Sequence, residues 1–228
     1  MEKNTLPIGV IDSGKGGKGV IHYLSFGLKN ENFLFYMDSK NFPYGNKSRS
    51  EIFEIGKDAI KMVQDKTKII VIACNTLSCY INKNNDISII KINECIVEKV
   101  KRKKYKNVLF LTTSLTNKSN YFQNECEKYQ IKYKIKSCPE LVEMVENNLI
   151  NKDKIKDILK EEFNGNYDAI VLGCTHFYYL EKDITKLFPN AKIITGFDVL
   201  LSKIKKELKL LKLKNSRVNK SKISVYKT

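Results

Sequence analysis

Eight short runs of β-branched and aromatic residues alternate with longer amphipathic segments along the 228 residues of the chain. This alternation predicts an α/β fold with mainly parallel sheets and helices on both faces, because a parallel strand needs a crossover before the next one. The predicted strands lie at 7–11, 32–37, 68–73, 87–92, 107–111, 131–135, 168–173 and 191–195. The predicted helices lie near 17–28, 48–65, 94–104, 117–129, 139–149, 152–163, 178–187 and 197–213.

A weak internal repeat divides the chain into two similar halves. The first half begins with IGVIDSG and later reaches VIACNT, and the second begins with VLFLTTS and later reaches VLGCTH. The repeat predicts two pseudo-symmetric α/β lobes, 1–95 and 96–204, with the C-terminal segment 205–228 joined to the first. Because ligands bind beyond the carboxyl ends of parallel strands, we expect the active site in the cleft between the lobes.

Each half places a cysteine directly after a buried strand and before a helix. Cys74 follows KIIVIA and Cys174 follows DAIVLG, so the repeat predicts that the two thiols face each other across the cleft. Taken singly, each cysteine is more simply interpreted as a small buried hydrophobe. A helix N-terminus favours a thiolate, and we expect the pKa of Cys74 to move from about 8.5 toward neutrality.

Polar residues beside the two thiols are the next candidates. Asn75 and Thr76 follow the first thiol and offer hydrogen bonds to a carboxylate, and Thr175 follows the second thiol. His176 is one of only two histidines in the chain, and an imidazole can hold or move a proton near neutral pH. The other histidine, His22, lies on the first predicted helix and is interpreted as a surface or boundary residue.

Two loops complete the candidate site. In DSGKGG, the side chains of Asp12 and Ser13 can reach the cleft, and the glycines let the backbone approach a ligand. The alternative for this loop is a turn in which Asp12 caps the first helix. In NFPYGNKS, Tyr44 and Gly45 can close over a small ligand, whereas the following SRSE matches a capping box.

Inversion of a stereocentre needs one acid–base group on each face of the carbon. A thiolate on one face and a thiol on the other form such a pair. One removes the proton, the other supplies a new proton from the opposite side, and the roles exchange with the direction of reaction. Because no lysine motif for pyridoxal phosphate is apparent, we expect no cofactor. Thiol redox activity is the weaker alternative, since the six cysteines include no CxxC pair.

The formal net charge of +16 raises the alternative of a nucleic-acid partner. Residues 201–228 contain ten Lys or Arg and one acid, so nine of the sixteen net charges lie in this basic tail. Only three arginines occur, although arginine suits phosphate best, so we interpret the lysines as solvated surface and expect no nucleic acid. The N-terminus contains no secretory or membrane-spanning apolar run, so we expect a cytoplasmic protein that binds no membrane.

Six motifs occur in the order, and at about the spacing, of one known family. They are IGVIDSGKGG, FPYGNKS, VIACNT, TTSLTNKS, CPELVEMVE and VLGCTHF, and they span about residues 7–180. In these motifs the chain resembles the cofactor-independent glutamate racemases of the aspartate/glutamate racemase superfamily. The resemblance implies a small amino-acid substrate, a site without cofactor or metal, and a homodimer.

The resemblance also implies roles for particular residues. Cys74 is expected to act on the D-enantiomer and Cys174 on the L-enantiomer. The groups expected to assist proton transfer are Asp12, Glu146 and His176, and the expected substrate contacts are Ser13, Tyr44, Gly45, Asn75, Thr76, Thr116 and Thr175. The roles of Glu146 and Thr116 are implied by the resemblance alone. Without it, Glu146 is interpreted as a helix-surface acid and Thr116 as a helix N-cap.

The chain departs from the family pattern at three places. Phe177-Tyr178-Tyr179 follows the second thiol where a Tyr-Pro pair is usual, TGFD replaces an Asp-Ser pair, and ISVYKT is typical of the start of a last strand. The predicted function is racemisation of glutamate. Two alternatives stay open: racemisation of aspartate or another small amino acid, and an inactive racemase fold that binds an acidic partner through its basic tail.

Overall fold

Two parallel sheets organise the computed structural model, which describes residues 3–82, 86–215 and 220–228. The strands are β1 Ile8–Asp12, β2 Phe33–Met37, β3 Ile69–Ile72, β4 Ile89–Lys91, β5 Asn107–Thr112, β6 Lys132–Ser137, β7 Ala169–Gly173, β8 Lys192–Ile194 and β9 Ile223–Lys227. The first sheet has the order β4-β3-β1-β2-β9 and the second the order β6-β5-β7-β8. All pairings between these described strands are parallel, which confirms the predicted α/β fold of two lobes.

Helices cover the faces of both sheets. They are α1 Gly16–Gly27, α2 Arg49–Gln64, α3 Asn75–Tyr80, α4 Ile92–Arg102, α5 Ser114–Lys118, α6 Tyr121–Lys128, α7 Pro139–Glu146, α8 Lys152–Leu159, α9 Glu181–Leu187 and α10 Phe197–Leu210. Short 3-10 helices lie at Lys3–Thr5, Tyr44–Asn46, Lys160–Glu162 and Thr175–Leu180. Within the three described ranges, no helix combines the length and the apolar composition needed to cross a bilayer.

The observed elements match the predicted strands and correct one predicted helix. All eight predicted strands are present, with ends that differ by at most two residues. The single helix predicted over 117–129 is wrong, because the chain forms α5 and α6 with Asn120 between them. Asn120 has a left-handed backbone with φ of 56°, a conformation that a continuous right-handed helix excludes. The predicted capping box at the start of α2 is confirmed.

The central strands are buried on both faces, which explains their continuous apolar sequences. Every residue of β1, β3 and β7 is buried. One hydrophobic cluster contains side chains from both sheets, including Val10 of β1 and Phe110 of β5. The two lobes therefore share part of their core, and the bounds 1–95 and 96–204 stay a prediction.

The basic C-terminal segment is packed into the fold. Helix α10 buries Leu200, Ile204 and Leu208 and contacts α1 and α4. Strand β9 pairs with β2 at the edge of the first sheet. Residues 216–219 lie outside the described residues. The described part of this segment is therefore not a tail separate from the fold, because α10 buries apolar side chains and β9 adds an exposed edge strand to the first sheet.

A buried ion pair ties four segments of the first lobe together. The ammonium of Lys68 contacts the carboxylate of Glu31 and also donates to the carbonyls of Asn4 at 2.8 Å and Leu213 at 2.9 Å. Oε1 of Glu31 accepts a hydrogen bond from the main-chain N–H of Asn215 at 3.0 Å. A buried charge needs a partner and hydrogen bonds, and this pair has both.

We expect Lys68→Ala to lower the free energy of unfolding by about 3–5 kcal/mol, because the substitution leaves Glu31 buried without its partner. The matched control is Lys66→Ala at an exposed position two residues earlier, with an expected change below about 0.5 kcal/mol. Urea denaturation of both variants measures the difference. Equal, small changes would show that the buried pair does not support the fold.

Candidate active site

Four central strands end at one enclosed pocket between the lobes. Strand β1 leads into Ser13, β3 into Cys74, β5 into Thr113 and β7 into Cys174, and all four residues line the pocket. The other lining residues are Phe42, Pro43, Tyr44, Gly45, Asn46, Thr76, Pro139, Val142, Glu143, Thr175 and His176. The pocket has a volume of about 30 Å³, which leaves room for about two water molecules.

The pocket contains one thiol from each lobe. Cys74 directly precedes α3, Cys174 directly precedes the 3-10 helix Thr175–Leu180, and each side chain is 7% exposed. All six cysteines are free thiols, and the other four do not line this pocket. Cys74 and Cys174 pack against different hydrophobic clusters, and both also border the same cavity.

The pKa of Cys74 lies well above its usual value, which contradicts the expected shift toward neutrality. Burial of the thiol is the main cause, and the nearby Asp12 adds to it. Hydrogen bonds from the main-chain N–H groups of Leu77 and Thr76 lower the pKa, but they do not offset burial. The local field of α3 is thus too weak to favour a thiolate that has lost its contact with water.

Cys174, His176 and Glu146 form a hydrogen-bonded relay that begins at the second thiol. Nδ1 of His176 lies 3.6 Å from the sulfur of Cys174, and Nε2 lies 2.9 Å from Oε2 of Glu146. Burial lowers the pKa of His176, but its hydrogen bonds to Cys174 and Glu146 raise it further, to about 10. The net pKa of Glu146 is lowered. Burial raises this pKa, but the hydrogen bonds from His176 and from the main chain of Lys15 lower it by more. The result is an imidazolium between a carboxylate and a sulfur.

Asp12, at the end of β1, is held by hydrogen bonds from both lobes. Its carboxylate accepts hydrogen bonds from the N–H of Gly14 at 3.2 Å and from the hydroxyl of Thr175 at 3.1 Å. Burial raises the pKa of Asp12, and the charge of His176 and these hydrogen bonds only partly oppose it. The alternative that Asp12 caps the first helix is wrong, because α1 begins at Gly16 and has no side-chain cap.

Two glycines let the first-lobe loop pack directly on the second lobe. A Cβ atom at Gly16 would lie 2.2 Å from Oγ1 of Thr175, and one at Gly14 would lie 3.0 Å from Oε2 of Glu146 and 3.2 Å from Nε2 of His176. At Gly16 even an alanine does not fit without moving its neighbours. Gly14 and Gly16 are therefore needed for close approach between the lobes.

Three threonine hydroxyls join the lobes on another side of the pocket. Oγ1 of Thr76 lies 2.9 Å from Oγ1 of Thr113, and Thr116 contacts both hydroxyls at 2.9 and 3.1 Å. The N-cap of α5 is Thr113, so the interpretation of Thr116 as an N-cap is wrong. Next to them, the side-chain amide of Asn75 donates to Oδ1 of Asn93 at 2.8 Å, which orients it.

A buried carboxylate holds the loop that closes the pocket. The hydroxyl of Tyr44 donates to Oδ2 of Asp38 at 2.8 Å, and the side-chain amide of Asn41 donates to the same oxygen at 2.8 Å. The hydroxyl of Thr228 donates to Oδ1 of Asp38 at 2.8 Å. Burial and the charge of Asp38 raise the pKa of Tyr44 far above its usual value, so its phenol stays neutral and donates.

Most of the predicted residues border the pocket. Those that line it are Ser13, Tyr44, Gly45, Cys74, Thr76, Cys174, Thr175 and His176. The other four are Asp12, Asn75, Thr116 and Glu146; all but Asn75 hydrogen-bond to a lining residue. Over the described ranges, no cluster of three or more His, Cys, Asp or Glu side chains is arranged to hold a metal ion.

Sequence reasoning missed several residues at or behind the pocket. Asp38 directly follows β2, so the rule that selected residues at strand ends could have found it. Thr113 follows β5 in the same way. Lys15 and Asn93 carry no comparable signal, because their roles depend on contacts with residues distant in sequence.

The fold and the pocket define a class: two-lobed α/β proteins in which each lobe contributes one thiol to a shared, enclosed site. The family model for Asp/Glu/hydantoin racemases matches residues 32–204. The chain belongs to the Asp/Glu/hydantoin racemase family and is an isomerase.

Named relatives and a solved structure agree with this assignment. The chain is 32% identical over 231 residues to a glutamate racemase of Clostridium acetobutylicum, covering 96% of this chain and 90% of the relative. It is 34% identical over 221 residues to a glutamate racemase of Clostridium botulinum strain Okra, covering 92% of this chain and 86% of the relative. The crystal structure of the Francisella tularensis glutamate racemase in complex with D-glutamate superposes with a TM-score of 0.89 at 27% identity, covering 99% of this chain and 89% of that one.

We expect the imidazole of His176 to stay protonated at neutral pH and to titrate at about 10. Glu146→Gln should lower this midpoint, because the substitution removes the carboxylate charge that stabilises the imidazolium. The measurement is an NMR titration of the two histidine rings, assigned with a His176→Gln variant. A midpoint for His176 at or below the ordinary value of about 6.5 would contradict the relay.

Proposed function

We propose that this protein racemises glutamate without a cofactor, by a two-base mechanism in which Cys74 and Cys174 are the bases. The observation that carries the proposal is the position of one thiol from each lobe in the same enclosed pocket. The relatives support the choice of substrate, since two are named glutamate racemases and one solved structure contains D-glutamate.

In the direction from L- to D-glutamate, the thiolate of Cys174 removes the α-proton. The electron pair of the broken C–H bond moves into the substrate carboxylate and gives a planar intermediate. The thiol of Cys74 then donates its proton to the opposite face, which inverts the carbon and leaves Cys74 as a thiolate. The reverse reaction exchanges the roles, and proton exchange with solvent resets the pair.

A carboxylate assists on each side of the substrate. On the second lobe, Glu146 keeps His176 protonated, and the imidazolium stabilises negative charge on the sulfur of Cys174. On the first lobe, the charge of Asp12 favours the thiol form of Cys74, which is the proton donor for L-glutamate. For D-glutamate, the raised pKa of Asp12 suits it to take up the proton that Cys74 must lose.

Hydroxyl and amide groups around the pocket stabilise the additional negative charge on the carboxylate of the planar intermediate. The groups we assign to substrate binding are Ser13, Tyr44, Gly45, Asn75, Thr76, Thr116 and Thr175. Because the threonine cluster and the Asp38 carboxylate fix several of them in advance, little reorganisation is needed during the reaction.

Substrate entry requires the lobes to separate. The closed pocket has room for about two water molecules, and an amino acid with two carboxylates is much larger. Closure then excludes water and completes the arrangement of catalytic groups, as lids and closing domains do in other enzymes.

Racemisation of aspartate is the second candidate, since the Asp/Glu/hydantoin racemase family is named for both acids. No feature of the pocket favours aspartate, and direct comparison of turnover on the two acids distinguishes them. The alternative of an inactive protein that binds through a basic tail finds no support, because α10 and β9 are built into the first lobe. The homodimer and the cytoplasmic location stay predictions.

We expect Cys74→Ser and Cys174→Ser each to abolish racemisation of D- and L-glutamate, because a hydroxyl is too weak an acid to replace either thiol at neutral pH. The change in optical rotation of purified protein with D-glutamate measures turnover. Cys126→Ser is the matched control, since this cysteine is buried in the shared core away from the pocket.

Full activity of either active-site serine variant would contradict the two-base mechanism. Absence of turnover by the unaltered protein on both glutamate and aspartate would contradict the proposed function as a whole. Loss of activity in the Cys126→Ser control would show that the effect arises from folding, which circular dichroism of the three variants tests directly.

A further inference from the structure

Lys15, in the loop between β1 and α1, contacts the second lobe with both its side chain and its backbone. Its Nζ donates to the main-chain carbonyl of Glu146 and, at 3.3 Å, to Oδ1 of Asn148. Its main-chain N–H donates to Oε2 of Glu146 at 3.1 Å, and its carbonyl accepts from the hydroxyl of Tyr179 at 3.0 Å. Lys15 does not line the pocket, so the proposed mechanism gives it no role.

These contacts act at the C-terminal end of a helix. Helix α7 ends at Glu146, and the last carbonyls of a helix have no partner within it and carry partial negative charge. The ammonium of Lys15 supplies both a hydrogen bond and a positive charge at this point. The end of α7 is thereby fastened to the loop that carries Asp12.

The same contacts fix the carboxylate that orients His176. Oε2 of Glu146 accepts from Nε2 of His176 at 2.9 Å and from the main-chain N–H of Lys15 at 3.1 Å. One donor comes from each lobe, so this oxygen has both partners only when the lobes are together.

We propose that Lys15 is a positioning residue that fastens the loop between β1 and α1 to the end of α7 and so holds Glu146 in place against His176. The proposal rests on the proposed function, in which His176 and Cys174 take part in proton transfer. Lysine suits this position because its flexible stem carries three donors, which can bind a carbonyl and an amide oxygen together.

The test compares Lys15→Met with Lys18→Met, a lysine that is exposed on α1 three residues later. We expect Lys15→Met to lower kcat for both enantiomers of glutamate by roughly tenfold, because small misplacements of catalytic groups are costly, and to leave KM within about twofold. Lys18→Met should change neither. Lys15→Arg should recover much of the loss, since it retains a charged donor on a long side chain.

A double variant separates positioning from general damage. In a Glu146→Gln background, Lys15→Met should lower kcat by less than about twofold further, because the two residues act through one carboxylate. Additive losses would overturn the proposal. If Lys15→Met does not fold, Asn148→Ala removes one acceptor of Lys15 and should lower kcat a few-fold, and an unchanged kcat there would overturn the proposal as well.

A readout that needs no activity keeps this proposal distinct from the proposed function. Hydrogen–deuterium exchange should be faster at residues 13–17 and 144–148 in Lys15→Met than in Lys18→Met. An unaltered protein that racemises glutamate, with Lys15→Met unchanged in kcat and exchange, would overturn the role of Lys15 alone. If the unaltered protein is inactive but exchange is faster in Lys15→Met, the contact of Lys15 between the lobes is supported and the proposed function is overturned.

Discussion

The site depends on one constraint: the carboxyl ends of central parallel strands from two sheets meet at the same place. Each thiol follows a strand whose residues are all buried, so its position is fixed by the core. The glycines at 14 and 16 then let the first-lobe loop approach the second lobe more closely than side chains allow. Without that approach, the two sulfurs would border separate surfaces.

Contacts between the lobes also hold the groups beside the thiols. The carboxylate of Asp12, from the first lobe, is held by the hydroxyl of Thr175, from the second. The carboxylate of Glu146, from the second lobe, is held by the backbone of Lys15, from the first. Each of these two acids is therefore hydrogen-bonded by the opposite lobe, and in the proposed mechanism this contact would link the approach of the lobes to the geometry of proton transfer.

The two halves are similar in fold but different in electrostatics. Burial and Asp12 raise the pKa of Cys74, whereas the sulfur of Cys174 has Nδ1 of His176 at 3.6 Å. The pseudo-symmetric sheets thus place the two thiols at equivalent points, while the neighbours of the two thiols differ.

Hydrophobic periodicity predicted the strands of both sheets. The positions of the strand ends predicted that Cys74 and Cys174 border one pocket. The sequence did not allow prediction of the raised pKa of Cys74, because the depth of burial is set by both lobes together. It also missed Lys15, whose partner Glu146 is 131 residues away. Family resemblance supplied Glu146, which no local pattern distinguishes from other acids on helices.

The direct test of the two-base account is the isotope content of both enantiomers early in the reaction of unlabelled L-glutamate in D₂O. Because removal and return of the proton use different sulfurs, the D-glutamate formed should contain deuterium at the α-carbon, while the remaining L-glutamate stays unlabelled. D-glutamate that retains the original hydrogen, or L-glutamate that gains deuterium as fast as product forms, would show that one base serves both faces.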